Sequence, residues 1–438
     1  MLAGKVAIRR GFAAAATQAQ SAPLTSQIEE KFSRLSNGIT VASVDLHGAV
    51  SSLVLAYRAG SRYLQPDESG LVHHLRNNFG KDSEKYLGVK LLWQLGSIGG
   101  NLNSYATKDL VAVHTNVIRD RSVIAISLLG EFSRPAFCPW DVEDAAENVV
   151  KDLKFQEPYD AVLELLHKAA YRNGSLANPI LAQSYEADHA CHKKLSKYSN
   201  SRLLTSEAVL FGVNVNHDDL VNYASQQSVI GEGKAQGATA SPYKGGDARL
   251  AGPSSIAHVL IGGEGAAVSD SKAVATQAVL AALIGSQPGL KFTNSVSSSV
   301  VGAAVRKASN HRPVGVAAVN VSHSDSGLVG VYYAEPTVRA AFDGLKQVAG
   351  GVEKDVFEAA QKSAQLETLL RFEQTNDLAL EQARQSLLKG ELLLPTEFAK
   401  QIGQVTVEDV KKAAQKIVSK PSIAAYGRIN QVPYVDQL

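Results

Sequence analysis

One order of strand-like and helix-like periodicities runs through this chain twice, and that repetition limits the folds open to it more than any motif does. In the first half, "NGITVASVD" (37–45) and "AVSSLVLAYRAGS" (49–61) read as paired strands, with Asn37-Gly38 supplying a turn before them. "SGLVHHLRNNFG" (69–80) is the first helix candidate. In the next, Leu87, Leu91, Leu95 and Ile98 recur at helical spacing, and Gly99 and Gly100 stop the helix. Val111, Val113, Thr115 and Val117 share one face of a strand. Helices are predicted over 120–132, 142–155 and 159–173, the last two separated by Pro158, before a polar helix and the strand "EAVLFGV". Residues 231–246, "GEGKAQGATASPYKGG", hold five glycines and a proline and almost nothing to bury, which marks a linker. Beyond it the order returns: strand "IAHVLIG", a helix over 269–285, strands "PVGVAAVNVS" and "GLVGVYYAE", helices from 336 to 418, and the closing strand "SIAAYGRI". The expectation is an α+β fold made of two similar domains, each a sheet packed with helices, over 33–230 and 247–438.

Composition narrows the function classes. Hydrophobic residues make up 45% and charged residues 20% of the 438, enough to build two cores. A formal charge of +2 implies no broad attraction to nucleic acid or anionic lipid. Two cysteines, Cys138 and Cys191, cannot make a disulfide framework and suit a reducing compartment. Apolar runs such as "AVLAALIG" (278–285) fall far short of the roughly 20 residues a membrane-spanning helix needs. The start differs from the rest: Lys5, Arg9 and Arg10 precede any acidic residue, the first being Glu29. Such basic, alanine-rich, acid-free starts are what mitochondrial presequences look like. Residues 1–12 are read as that presequence, cut between Phe12 and Ala13, with 13–32 an N-terminal extension.

The segment "HHLRN" (73–77) carries the outline of a zinc site. On a helix, a His-x-x-Glu-His run presents two imidazoles to a zinc ion and a carboxylate to its water, because positions i, i+3 and i+4 share a face. A distant acidic residue then completes three protein ligands. His73 fits the first position, but Arg76 stands where the general base belongs and Asn77 where the second imidazole belongs. Beside a doubly charged ion, the Arg76 charge would cost on the order of 6 kcal/mol at an effective dielectric near 20. Nor can it accept a proton. Catalytic zinc is not expected here.

"RAGSRY" (58–63), "HHLRN", "GGNLNSYATKD" (99–109) and "AAYRNGSLAN" (169–178) resemble the pitrilysin-type peptidases of mitochondria. In active members the acidic ligand lies about 75 residues beyond the second histidine. Counting 75 intervening residues from Asn77 gives Leu153, so the resemblance implies that the third ligand is lost too. "YKGGDARL" (243–250), "PGLKFTNSVSSSVVGAAV" (288–305), "SHSDSGLVGVYY" (322–333) and "VPYVDQL" (432–438) are similar to the non-catalytic core-subunit branch of that family, in ubiquinol–cytochrome c reductase, respiratory complex III. That likeness implies a structural role at the matrix face of the inner mitochondrial membrane. It also implies core protein 1, cytochrome b, cytochrome c1 and the iron–sulfur protein as partners, with no cofactor in this chain and the haems and iron–sulfur cluster on other subunits.

A second member of the family, the non-catalytic subunit of the mitochondrial processing peptidase, also lacks the metal motif but carries a glycine-rich loop. The matching region here, "IGSQPGLKFTNSVSSSVVG", is serine-rich and without a glycine cluster, which favours the core subunit. Other sites are poorer. "DHACHKK" places His189, Cys191 and His192 within four residues, too short a helical span for their side chains to converge. His167 reads as a packed or partly exposed helix residue rather than a ligand. "GSIGG" follows a helix and lacks the Lys-Ser/Thr ending of a phosphate loop. The serines from Ser295 to Ser299 have no accompanying base signature.

Overall fold

The computed structural model describes residues 28–187, 191–285, 299–309, 315–334 and 338–438. The presequence and most of the extension, His189, and most of the serine-rich loop lie outside them. Six strands form the first sheet: β1 (Glu29–Arg34), β2 (Thr40–Asp45), β3 (Val50–Tyr57), β4 (Asn101–Ala106), β5 (Val111–Ile118) and β6 (Ala208–Val213). The second sheet has β7 (Gly246–Ala251), β8 (Ala257–Gly265), β9 (Val316–Ser322), β10 (Gly327–Ala334) and β11 (Ser422–Gly427).

Apart from β1, the first sheet is repeated in the second, strand for strand. The first runs β1-β2-β6-β3-β5-β4 and the second β7-β11-β8-β10-β9. In each, the one parallel pair joins the first repeated strand to the last, β2 with β6 and β7 with β11, and the other pairs are antiparallel. The two halves therefore share a topology that their residues do not advertise. One expectation fails here: β2 and β3 do not pair. β6 comes between them, and all six of its residues are buried, so a strand apolar on both faces takes the sheet centre.

Helices of the first half are α1 (Leu71–Asn78), α2 (Gly88–Ser97), α3 (Ser122–Phe132), α4 (Pro139–Lys154), α5 (Pro158–Tyr171), α6 (His192–Arg202) and α7 (His217–Asn222). Those of the second are α8 (Ser271–Ile284), α9 (Val300–Ala308), α10 (Val338–Gly350), α11 (Lys354–Arg371), α12 (Thr375–Leu388), α13 (Pro395–Gly403) and α14 (Val407–Ser419). Prolines at the first helical position open α4, α5 and α13, where a missing N–H costs nothing. Gly99, at φ 74, turns the chain out of α2, as the Gly99-Gly100 stop requires.

Two helices cross over. Val162, Leu166, Ala170 and Tyr171 of α5, in the first half of the chain, share a core with Leu260, Val319, Leu328 and Ala424 of the second sheet. Leu378, Ala379, Ala383 and Leu387 of α12 reciprocate, packing on Ala42, Val54, Val209 and Phe211 of the first sheet. Each sheet thus has one face covered by a helix from the other half. The 231–246 stretch has no helix but is tied down: Arg62 and Ser175 donate to the Thr239 carbonyl, and Ser241 is buried.

Candidate functional site

The face that carries the "HHLRN" segment forms where α1 meets α4. Leu71, Val72 and Leu75 anchor α1 in the core, which leaves His73, Arg76 and Asn77 on one face of the helix. In α4, Val142, Ala145, Ala146 and Val149 form the buried stripe, and one helical step further along that face lies Asp152. All three α1 residues reach its Oδ2. His73 Nε2 lies at 3.0 Å, Asn77 Nδ2 donates at 3.1 Å, and the Arg76 guanidinium makes a short ion pair with the same oxygen. The tautomer of His73 is set from its other side, where Nδ1 accepts the Ala182 N–H at 3.2 Å. Nε2 therefore carries the proton and donates to the carboxylate.

The electrostatics follow. Burial, with the Arg76 charge adding, pushes His73 down to about 4 against the pull of Asp152, so its ring is neutral at physiological pH. Burial alone would raise Asp152. The hydrogen bonds from His73 and Asn77 and the charge of Arg76 outweigh it and hold the carboxyl below its ordinary range.

Asp152, not Leu153, stands at the acidic position. Counting 75 intervening residues overshoots by one; Asp152 is 75 positions from Asn77, and its side chain points at His73. Leu153 turns instead to a small apolar cluster with Val149, Ala182 and Ala187. An acidic group therefore lies beside His73, with Arg76 and Asn77 at the positions where a His-x-x-Glu-His run would have its carboxylate and second imidazole. His74 takes no part, since its Nε2 donates to the Glu186 carbonyl. These residues do not fit zinc. The one remaining imidazole and the carboxylate are already bound to each other and to a guanidinium, which supplies the positive charge in place of a metal ion. Among the described residues no group of three His, Cys, Asp or Glu is placed to hold a metal.

A second polar cluster joins the halves, and no motif pointed to it. The β4–β5 turn carries Lys108 and Asp109; the equivalent β9–β10 turn carries His323, Ser324 and Asp325. Arg62 sits between the two tips. Its Nη1 donates to Asp109 Oδ1 at 2.9 Å, and Nη1 and Nη2 grip Asp325 at 2.8 and 2.9 Å. Lys108 donates to Glu164 of α5 at 2.6 Å. The backbone approach is close enough that a side-chain carbon at Gly60 would lie 2.3 Å from the Lys108 carbonyl oxygen. His167, expected as a packed or partly exposed helix residue, is fully inside this cluster at 2% exposure. The legible signal was positional: "TKD" and "SHSDSG" are polar hairpin tips at matching places in the two halves. Beside the cluster, a cavity of about 950 Å³ is lined by Asn320, Glu367, Arg371, Arg384 and Lys389, among others, with both signs of charge interspersed.

Comparison with known proteins places these features in a family. The insulinase model, peptidase family M16, matches residues 40–184, which includes the α1 face, Asp152 and the β4–β5 turn. Over 427 residues the chain is 30% identical to cytochrome b-c1 complex subunit 2, mitochondrial, of Mus musculus, covering 95% of this chain and 93% of that one. The Rattus norvegicus counterpart is 31% identical with the same coverage. Mitochondrial-processing peptidase subunit alpha-2 of Dictyostelium discoideum is more distant, at 26% over 92% of this chain and 93% of its own.

Proposed function

This chain belongs to peptidase family M16, in the group of cytochrome b-c1 complex subunit 2 proteins, and from that premise we propose that it is a structural, non-catalytic core subunit on the matrix side of mitochondrial ubiquinol–cytochrome c reductase. The observation that carries the non-catalytic part is the Arg76 guanidinium on Asp152. A cation that cannot give up its proton occupies the face where a peptidase needs a base and a metal. The chain supports assembly of the complex; it carries no cofactor of its own, and haems and the iron–sulfur cluster reside on other subunits. Core protein 1 is its paired partner, with cytochrome b, cytochrome c1 and the iron–sulfur protein in the same assembly. Attachment to the inner membrane is through these partners, in keeping with the finding that among the described residues no helix is long and apolar enough to cross a membrane.

The alternative role, as the non-catalytic subunit of the mitochondrial processing peptidase, is favoured less by identity, at 26% against 30–31% for the complex III relatives. Native separation of detergent-solubilised mitochondrial membranes distinguishes them. Co-migration with b- and c-type haem absorption in a large assembly is expected. Migration in a small soluble heterodimer that cleaves presequences would replace this reading with the alternative.

A further inference from the structure

We infer that His167 and His323 share one proton more than two neutral rings carry, forming an imidazole–imidazolium bridge that locks the two halves together, and that loss of this proton unlocks them. The count of hydrogen bonds requires it. His167 Nδ1 lies 2.8 Å from the Leu163 carbonyl oxygen, which can only accept, so Nδ1 holds a proton. His323 Nδ1 lies 2.9 Å from Asp109 Oδ2, also an acceptor, so that nitrogen holds a second. The two Nε2 atoms then face each other at 3.0 Å, within hydrogen-bond distance, and a third proton must lie between them. Without it, two lone pairs would oppose each other in a site where the rings are 2% and 4% exposed and water does not relieve the repulsion.

The surroundings can hold that charge. Counting the bridge as one positive charge, its neighbours balance it: Arg62 and Lys108 are positive, and Asp109, Asp325 and Glu164 are negative. Beyond them, Arg384 of α12 is paired with Glu381. Burial opposes ionisation of Asp109, yet the hydrogen bonds and charges of His323 and Arg62 hold its carboxyl well below the ordinary range, so it is an anion. His323 Nδ1 faces the Asp109 carboxylate, whereas His167 Nδ1 faces a neutral carbonyl, which puts the extra charge on the His323 ring.

The mechanical consequence lies in where these atoms belong. Asp109 is on the first sheet's hairpin, and His323 is on the second's, with its backbone fixed by His323 N–H to Ser326 O and Val268 N–H to His323 O. With the proton, His323–Asp109 is an ion pair across the halves, and His167 is bound to it from α5. Without the proton, one of three bonds must be given up, His323–Asp109, His323–His167 or His167–Leu163 within α5, and loss of either of the first two loosens the contact between the halves.

The test is nitrogen NMR on the full chain labelled at histidine, with His323→Gln used for assignment. At neutral pH, three of the four ring nitrogens of His167 and His323 should be of the protonated type; two would overturn the inference. In Asp109→Asn the oxygen still accepts but the charge is gone, so the count should fall to two and amide exchange at Val268 should quicken. Three protonated nitrogens in that variant would refute the electrostatic origin; should it fail to fold, the count in the unmodified chain decides alone. Raising the pH should release the third proton and quicken Val268 exchange, corrected for hydroxide catalysis, in one step. Release without that step would overturn the lock.

Discussion

Among the described residues, two places where arginine, aspartate and histidine meet differ sharply in burial. At the α1–α4 face, the Arg76 and Asp152 side chains are 25% and 37% exposed, and one carboxylate suffices for one guanidinium. At the junction of the halves, the Arg62 and Asp109 side chains are 1% and 5% exposed, and Arg62 requires Asp109, Asp325, the Ser324 hydroxyl and the Thr239 carbonyl together. Water makes up what the first site lacks, whereas the second has to be complete in itself. The α1–α4 face is therefore chemically replaceable, since packing by Leu71, Val72 and Leu75 positions α1 without help from the polar groups. The junction is not replaceable piece by piece, because its buried polar groups satisfy one another across the halves.

The largest effect should come from breaking that junction. Arg62→Ala leaves the buried Asp109 and the partly exposed Asp325 without their shared cation, and removal of one partner from a buried pair costs about 3–5 kcal/mol. Urea unfolding should show that loss. A loss under about 1 kcal/mol would mean the junction behaves like a surface pair and would erase the contrast.

Next is the exchanged helix. Leu166 of α5 is fully buried against Leu260 and Ala424, so Leu166→Ala should cost about 3 kcal/mol through the cavity it leaves. The position of the damage matters more than its size. Hydrogen exchange should quicken in β8 and β11 of the second sheet, although the substitution lies in the first half of the chain. Faster exchange confined to β2, β3 and β6 would show that the crossover is not what joins the halves.

Much of this frame was legible in the sequence, and what was not has physical reasons. Period-2 and period-3.6 patterns located β2, β3, β5, β6 and most helices to within a few residues, because those elements bury one face or both. β1 and β4 were missed: Glu29–Arg34 is largely exposed and Asn101–Ala106 only half-buried, so neither carries an apolar alternation. The β2–β3 pairing failed because adjacency in a sheet is set by which strand is apolar on both faces, and sequence order does not report that. At the site, His73, Arg76 and Asn77 were readable because one helical turn fixes their relation. Asp152 was not: a count across some 75 residues cannot resolve the 100° that separates neighbours on a helix. The junction escaped because Arg62, Asp109 and His323 are distant in the chain and meet only once both sheets have formed.

The α1–α4 face should yield far less than the junction. Arg76→Ala removes a partly exposed ion pair, and about 1 kcal/mol or less is expected. Arg76→Glu combined with Asn77→His should go further and bind zinc, seen as cobalt absorption, since it places a base and a second imidazole beside His73 and Asp152. The same pair of changes with Asp152→Asn should lose that signal, while adding Leu153→Ala should keep it. The reverse pattern would restore Leu153 as the relevant position.

The last effect is one of pH, and its sign separates neutral from charged histidine. His73 has a folded pKa of about 4 against an unfolded value near 6.5, so protonation favours the unfolded chain. Stability from this residue should be complete above about 6.5, fall as the pH drops toward 4, and level off below. Asp152 pulls in the same direction at lower pH, since its depressed carboxyl stabilises the fold only while ionised. His73→Gln should make the segment between 6.5 and 4 shallower, though not flat, since buried His114 still contributes there, and leave the lower one in place. If the slope over that interval were unchanged, His73 would already be charged in the folded protein, and the α1–α4 face would carry two cations on Asp152 instead of one.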